Sequence, residues 1–173
     1  MPSYVSSRPR IAHGVLFCHA IPRALVPHVV WAVRDVLGSD TRMDFEPQPV
    51  APGSMRSILP WTHEAGTAAR LMSALRVMPD VFLEVTEDPG VEREGERYSY
   101  TPSLGLFRAT IGVHGDVLVH EDRLRAAIQG AQEYGVDLAD GIAHLLGEPW
   151  DIELEPYRVA TSETPVRVMH HVV

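Results

Sequence analysis

A chain of 173 residues, 45 % hydrophobic and 22 % charged, has the composition of a folded protein with one full core or two small cores sharing an interface. Its net charge of −8 repels phosphates at long range, which argues against non-specific nucleic-acid binding and disfavours an acidic partner surface. No run approaches the roughly eighteen apolar residues of a membrane span, and the opening MPSYVSSRPRIAHG lacks the apolar stretch of a secretion signal; a cytoplasmic protein is expected.

The first element is Gly14-Val15-Leu16-Phe17-Cys18-His19-Ala20, apolar at nearly every position, as suits a central strand covered on both faces. Val26, Val29, Val30, Val33 and Leu37 then lie on one helical stripe, with Pro27 at the start and Gly38 just past the end. Met43-Asp44-Phe45-Glu46 alternates as a half-buried strand, and Pro47, Pro49, Pro52 and Gly53 make a stiff connection to a short strand over Met55 to Leu59. Thr62 is placed to cap a helix carrying Ala68, Leu71, Met72 and Leu75. Pro79-Asp80 ends it before the strand Val81-Phe82-Leu83-Glu84-Val85.

This order is the βαββαβ pattern of a ferredoxin-like unit, in which two helices cover one sheet face and the first strand is central. The segment from Glu87 to Glu96, with Pro89, Gly90 and five carboxylates, separates it from the C-terminal half of the chain. Arg97-Tyr98-Ser99-Tyr100 and Leu106 to Val113 read as strand, with Phe107, Ala109, Ile111 and Val113 sharing a face. His114-Gly115-Asp116 forms a hairpin turn returning through Val117-Leu118-Val119. One helix carries Leu124, Ala127, Ile128 and Ala131; a second, opened by Asp137 and Asp140, carries Leu138, Ile142, Leu145 and Leu146 and stops at Gly147 and Pro149. Trp150-Asp151-Ile152-Glu153-Leu154 alternates as a last strand, and Val166-Arg167-Val168 suits an edge strand. The expected fold is therefore α+β: a ferredoxin-like βαββαβ unit over 9–89 packed with a ββααβ unit over 95–173 into one compact body. The second unit, or a second copy of the chain, is the natural cover for the open sheet face.

Absent residue types narrow the chemistry. All fifteen basic residues are arginine, scattered along the chain; without lysine there is no Schiff base and no P-loop lysine. Without asparagine there is no N-glycosylation acceptor, and the single Cys18 forbids an internal disulfide or a multi-cysteine metal site. Arginine in place of lysine, with abundant alanine, valine and glycine, has the look of a high-GC bacterial genome.

The stretches PHVVWAV, QPVAPGSMRSILPW, GTAARLMSALR, LEVTEDPG and GERYSYTPSLGLFRATIGVHGDVLVHEDRLRAA resemble an actinobacterial family known as domain of unknown function 3145. The resemblance runs from about His13 to the last helix and rests on long ordered strings. It implies a cytoplasmic actinobacterial protein, and it brings no reaction, substrate or catalytic residue to carry over.

Four groups of residues are candidates for function. His114, Asp116, His120, Glu121 and Asp122 combine imidazoles and carboxylates at a hairpin and could hold a divalent ion. The same residues also make an ordinary turn and a favourable negative helix start; His170-His171 offers further ligands. Arg97, Tyr98, Tyr100 and Arg108 form a candidate interaction surface, since tyrosine and arginine bury large area and keep a polar handle. Cys18 and His19 are adjacent on a strand and point to opposite faces, so a thiol–imidazole pair would need His28 or His63 instead; a buried structural thiol is the plainer reading. Trp61-Thr62-His63-Glu64 suits an anion site at a helix start, or simple capping.

No catalytic constellation stands out and no cofactor is implied. The leading reading is a non-enzymatic binding or regulatory module for a protein or small-molecule partner, without nucleic acid or membrane and with a homodimer open. The alternatives are a metal-assisted hydrolase or lyase using the His114–Asp122 cluster, and a structural subunit of a larger assembly.

Overall fold

The computed structural model describes residues 10–160. Ile11–Pro22 form one long strand, β1, whose alternate residues Ala12, Leu16 and Cys18 are buried on one side. The chain continues through α1 (Val26–Leu37), β2 (Glu46–Pro47), β3 (Ser54–Glu64), α2 (Thr67–Leu75), β4 (Phe82–Glu87), β5 (Gly95–Thr101), β6 (Gly105–Ile111) and β7 (Val117–Leu118). Three helices come next: α3 (Glu121–Tyr134), α4 (Leu138–Leu146) and α5 (Glu148–Val159). The fold is mixed α+β, with one antiparallel sheet in the order β2-β3-β1-β4-β5-β6-β7. β1 lies between β3 and β4, so the opening apolar run is interior to the sheet as its composition demands. Pairing of β4 with β5 carries the sheet without a break across the acidic segment. Among the described residues, no helix is long and apolar enough to cross a membrane.

The two sheet faces differ in their cover. α1 and α2 lie on the first face: Val29, Val33 and Val36 from one, Ala68, Leu71, Met72 and Leu75 from the other, pack on Leu16, Cys18, Trp61, Leu83, Val85 and Tyr98. Gly14 belongs to this face because nothing larger fits. A Cβ there would stand 1.9 Å from the Thr86 carbonyl oxygen and 2.4 Å from the Trp61 ring. On the second face α5 presses Trp150 and Leu154 onto Phe107 and Ala109 of β6. A bulge between Cys18 and Ile21 breaks the alternation of β1 and leaves His19, Ala20 and Ile21 all buried.

Several expectations change. Trp150-Asp151-Ile152-Glu153-Leu154 is helical. Trp150 and Leu154 are one helical turn apart and both buried, while Ile152, which a strand would bury beside them, is 67 % exposed. Pro149 does not stop a helix but sits in the first turn of this one, where its missing N–H is no loss. Gly147, at φ 85°, ends α4 and starts α5. Thr62 does not cap α2, since β3 runs on to Glu64. The Glu87 carboxylate of β4 satisfies that helix start instead, accepting from Gly66 N at 2.9 Å and Ala68 N at 3.1 Å. Of Met43–Glu46, only Glu46 pairs, with Arg56. β2 meets β3 only at Arg56 and Met55, so among the described residues the outer margin of β3 from Ser57 onward has no strand neighbour, and Pro60 lies within it. Val166–Val168 and His170-His171 lie outside the described residues.

Candidate functional site

Two polar sites emerge, one closed and one open. The closed one lies under α5. Glu84 is on the second face of β4, buried in a strand that also carries Leu83 and Val85 on the first. A carboxylate there requires counter-charges, and three elements supply them. His19 Nε2 stands 2.6 Å from Glu84 Oε2; Arg158 donates Nε to that oxygen at 2.9 Å and a terminal nitrogen to Oε1 at 2.5 Å. Arg97 donates to Oε1 at 3.0 Å, and Ser99 Oγ lies 3.3 Å from it. Asp151 on α5 then bridges the two guanidiniums, accepting from Arg158 at 2.7 Å and from Arg97. Burial alone pushes the Glu84 carboxyl up, but the hydrogen bonds and charges of His19 and Arg158 outweigh it and hold the group well below its usual range. Both Glu84 oxygens are fully engaged, so the cluster has no spare valence for a ligand. It fastens α5 to the sheet. A second clamp does the same at the other edge, where Thr101 and Ser103 donate to Glu153 at 2.7 and 2.6 Å.

The open site lies on the first face beyond the reach of α2. Tyr98, Arg108, Thr110 and Leu118 share this face by strand register, and α3 begins beside them. Arg108, Thr110, Leu118, His120 and Arg123 line a pocket of about 230 Å³. Arg108 bonds to Glu96, which also accepts from the Tyr98 hydroxyl at 2.6 Å, and its guanidinium lies 5.7 Å above the Tyr98 ring. That anchoring orients the arginine while leaving further N–H donors free. Arg123 has no carboxylate partner among the described residues. The positive pole of α3 opens here too, but Glu121 and Asp122 in its first turn offset it. A larger hollow of about 570 Å³ among Gly90, Glu92, Arg93, Glu94 and Val113 has the opposite character. Its one cation, Arg93, is already bonded to Glu87 and the Asp88 carbonyl.

The structure divides the residues singled out in the sequence. Arg97 does not share a surface with Tyr98, Tyr100 and Arg108: it points to the second face, is 8 % exposed and belongs to the Glu84 cluster. Tyr98 is also buried, so of that set only Arg108 is freely accessible. His114, Asp116, His120, Glu121 and Asp122 are all at least partly exposed, yet they do not converge. No group of three or more His, Cys, Asp or Glu among the described residues is arranged to hold a metal ion. Glu121 is engaged by Arg125 one turn along α3. Cys18 is buried in the first-face core, with His19 turned away from it and His28 exposed on α1. His63 lies in β3, where its Nδ1 is 3.1 Å from the Thr67 hydroxyl.

Sequence reading missed Glu84, Asp151 and Arg158 as a group, and Arg123 and Thr110 beside Arg108. The available signal was a carboxylate inside an otherwise apolar strand, which demands a buried cation. The pocket had no comparable signal, because its arginines come from separate elements.

A family model described as "Protein of unknown function (DUF3145)" matches residues 15–171. The chain belongs to this family. The match spans both clamps, the pocket and all of the sheet except the first four residues of β1. Comparison with curated proteins and with solved structures returned no match.

Proposed function

We propose that this protein is a non-enzymatic binding module whose ligand docks on the open part of the first sheet face, around Arg108, Thr110, His120 and Arg123. The observation that carries this reading is a polar pocket flanked by Leu118, 40 % exposed, on a stretch of sheet that α1 and α2 leave uncovered. Such a mixture of convergent polar groups and accessible apolar surface is what small-ligand sites are built from. A cavity of about 230 Å³ is below the usual size of a drug-sized ligand site, which favours a small ligand or one end of a larger one. The buried cluster supports the same reading from the other side, because its saturated carboxylate is suited to rigidity and not to proton transfer.

We also infer that residues 9–89 are a ferredoxin-like unit, to which β5–β7 and α3–α5 are added. The order β2-β3-β1-β4, with α1 and α2 on one face, supports it.

The test is retention from a native cell extract, separated into small molecules and proteins, on immobilised wild-type protein and a Leu118→Asp variant. A species retained at fixed stoichiometry by the wild type, released unaltered and lost from the variant is the expected result. A compound released in chemically converted form would make the protein an enzyme, and retention indifferent to Leu118→Asp would place the site elsewhere.

A further inference from the structure

We infer that the pocket of Arg108, Thr110, His120 and Arg123 receives an anionic group, a carboxylate or phosphate at the end of a larger ligand; this rests on the binding-module reading above. Arg108, Thr110, His120 and Arg123 line one small volume, and each of their side chains can donate a hydrogen bond. Guanidinium forks match the planar carboxylate and the phosphate oxygens in pairs, which gives direction as well as charge. Arg108 is pre-oriented by Glu96 and Tyr98, so little freedom is lost when its remaining donors engage. Arg123 brings a positive charge not balanced by any acidic side chain among the described residues.

No acidic side chain among the described residues lines the pocket itself. Glu96 holds one side of Arg108, Glu121 is occupied by Arg125, and Asp122 is exposed on α3. The whole chain carries −8, so a free anion meets long-range repulsion and a local attraction. The pocket therefore binds small inorganic anions weakly, and discriminates through geometry more than through attraction from a distance. Leu118 at its rim offers apolar contact to the body of the ligand, which is where additional affinity is to be found.

The experiment is an NMR titration of the full chain with inorganic phosphate and, separately, with acetate, each against sodium chloride at equal ionic strength. The readouts are the Nε–H signals of Arg108 and Arg123 and the ring protons of His120. Saturable shifts confined to these residues are expected with at least one anion, weakened about tenfold in Arg123→Glu and unchanged in Arg70→Glu, an exposed arginine on α2. Saturation by phosphate alone assigns a phosphate, and saturation by acetate assigns a carboxylate. Shifts that match chloride, or that saturate equally in Arg123→Glu, overturn the inference. If both anions fail while Leu118→Asp still abolishes retention from the extract, the binding module stands and only its anion selectivity falls.

Discussion

Arg158, at the end of α5, and Glu84, seventy-four residues earlier in β4, meet as a two-point ion pair at 2.9 and 2.5 Å beneath the helix. The pair closes the second face because Arg97 and Asp151 complete it, with His19 beside them. Breaking one member strands the others in a poorly solvated place. Glu84→Gln is therefore expected to lower unfolding stability by about 3–5 kcal/mol, the usual effect of removing one partner of a buried pair. Urea denaturation of the two proteins measures it, and a loss under about 1 kcal/mol would show that the cluster is not a clamp.

The same carboxylate gives stability a definite pH dependence. Its folded pKa lies well below the ordinary 4.5, despite the opposing effect of burial, because His19 and Arg158 stabilise the charged form. A group depressed on folding contributes fully above its unfolded pKa and loses that contribution as pH falls toward the folded one. The advantage of wild type over Glu84→Gln should thus shrink progressively as pH falls below about 4. A constant difference down to about pH 2 contradicts this account.

Cys18 provides a test of the core. Burial pushes its thiol up to about 12, within a first-face core built mostly of apolar side chains. A thiol-specific reagent at about pH 8 is expected to leave the native protein untouched and to modify one cysteine per chain after denaturation. Rapid native labelling would mean that α1 and α2 do not seal this face.

Gly14→Ala tests the contact between β1 and its neighbours. The added methyl collides with the Thr86 carbonyl oxygen, a backbone atom that cannot swing aside, and with the Trp61 ring. A loss of about 3 kcal/mol is expected, at the upper end of ordinary overpacking. Trp61 is buried there, so a red shift and greater quenching of tryptophan fluorescence should accompany the loss. Unchanged stability would mean that β1 and β4 leave room for a methyl between them.

What the sequence disclosed depended on whether a signal was local. The interior position of β1 was legible because both parities of Gly14 to Ala20 are largely apolar, as suits a strand covered on both faces, which is most often a central one. Gly115 and Asp137 were legible as a turn and a helix cap, since each acts within a few residues: Gly115 at φ 87°, Asp137 accepting from Ala139 N at 2.7 Å. α5 was not, because Trp150-Asp151-Ile152-Glu153-Leu154 alternates and also places Trp150 and Leu154 one turn apart. Tertiary contact with Phe107 decides between the two periods. Separating Arg97 from Tyr98 needed only the neighbour rule that separates Cys18 from His19. The meeting of Arg108 with Arg123 depended on where α3 starts relative to β6, which no short-range pattern encodes.

Pro60 has a consequence for the protein at high concentration. A strand margin with free amides and carbonyls invites a second chain to extend the sheet, the first step toward fibrils and swapped dimers. A residue without an amide hydrogen interrupts the hydrogen-bond ladder such an intruder would need, midway along the margin of β3 that has no strand neighbour among the described residues. The ring at this position works against pairing of that margin with a second copy of the chain.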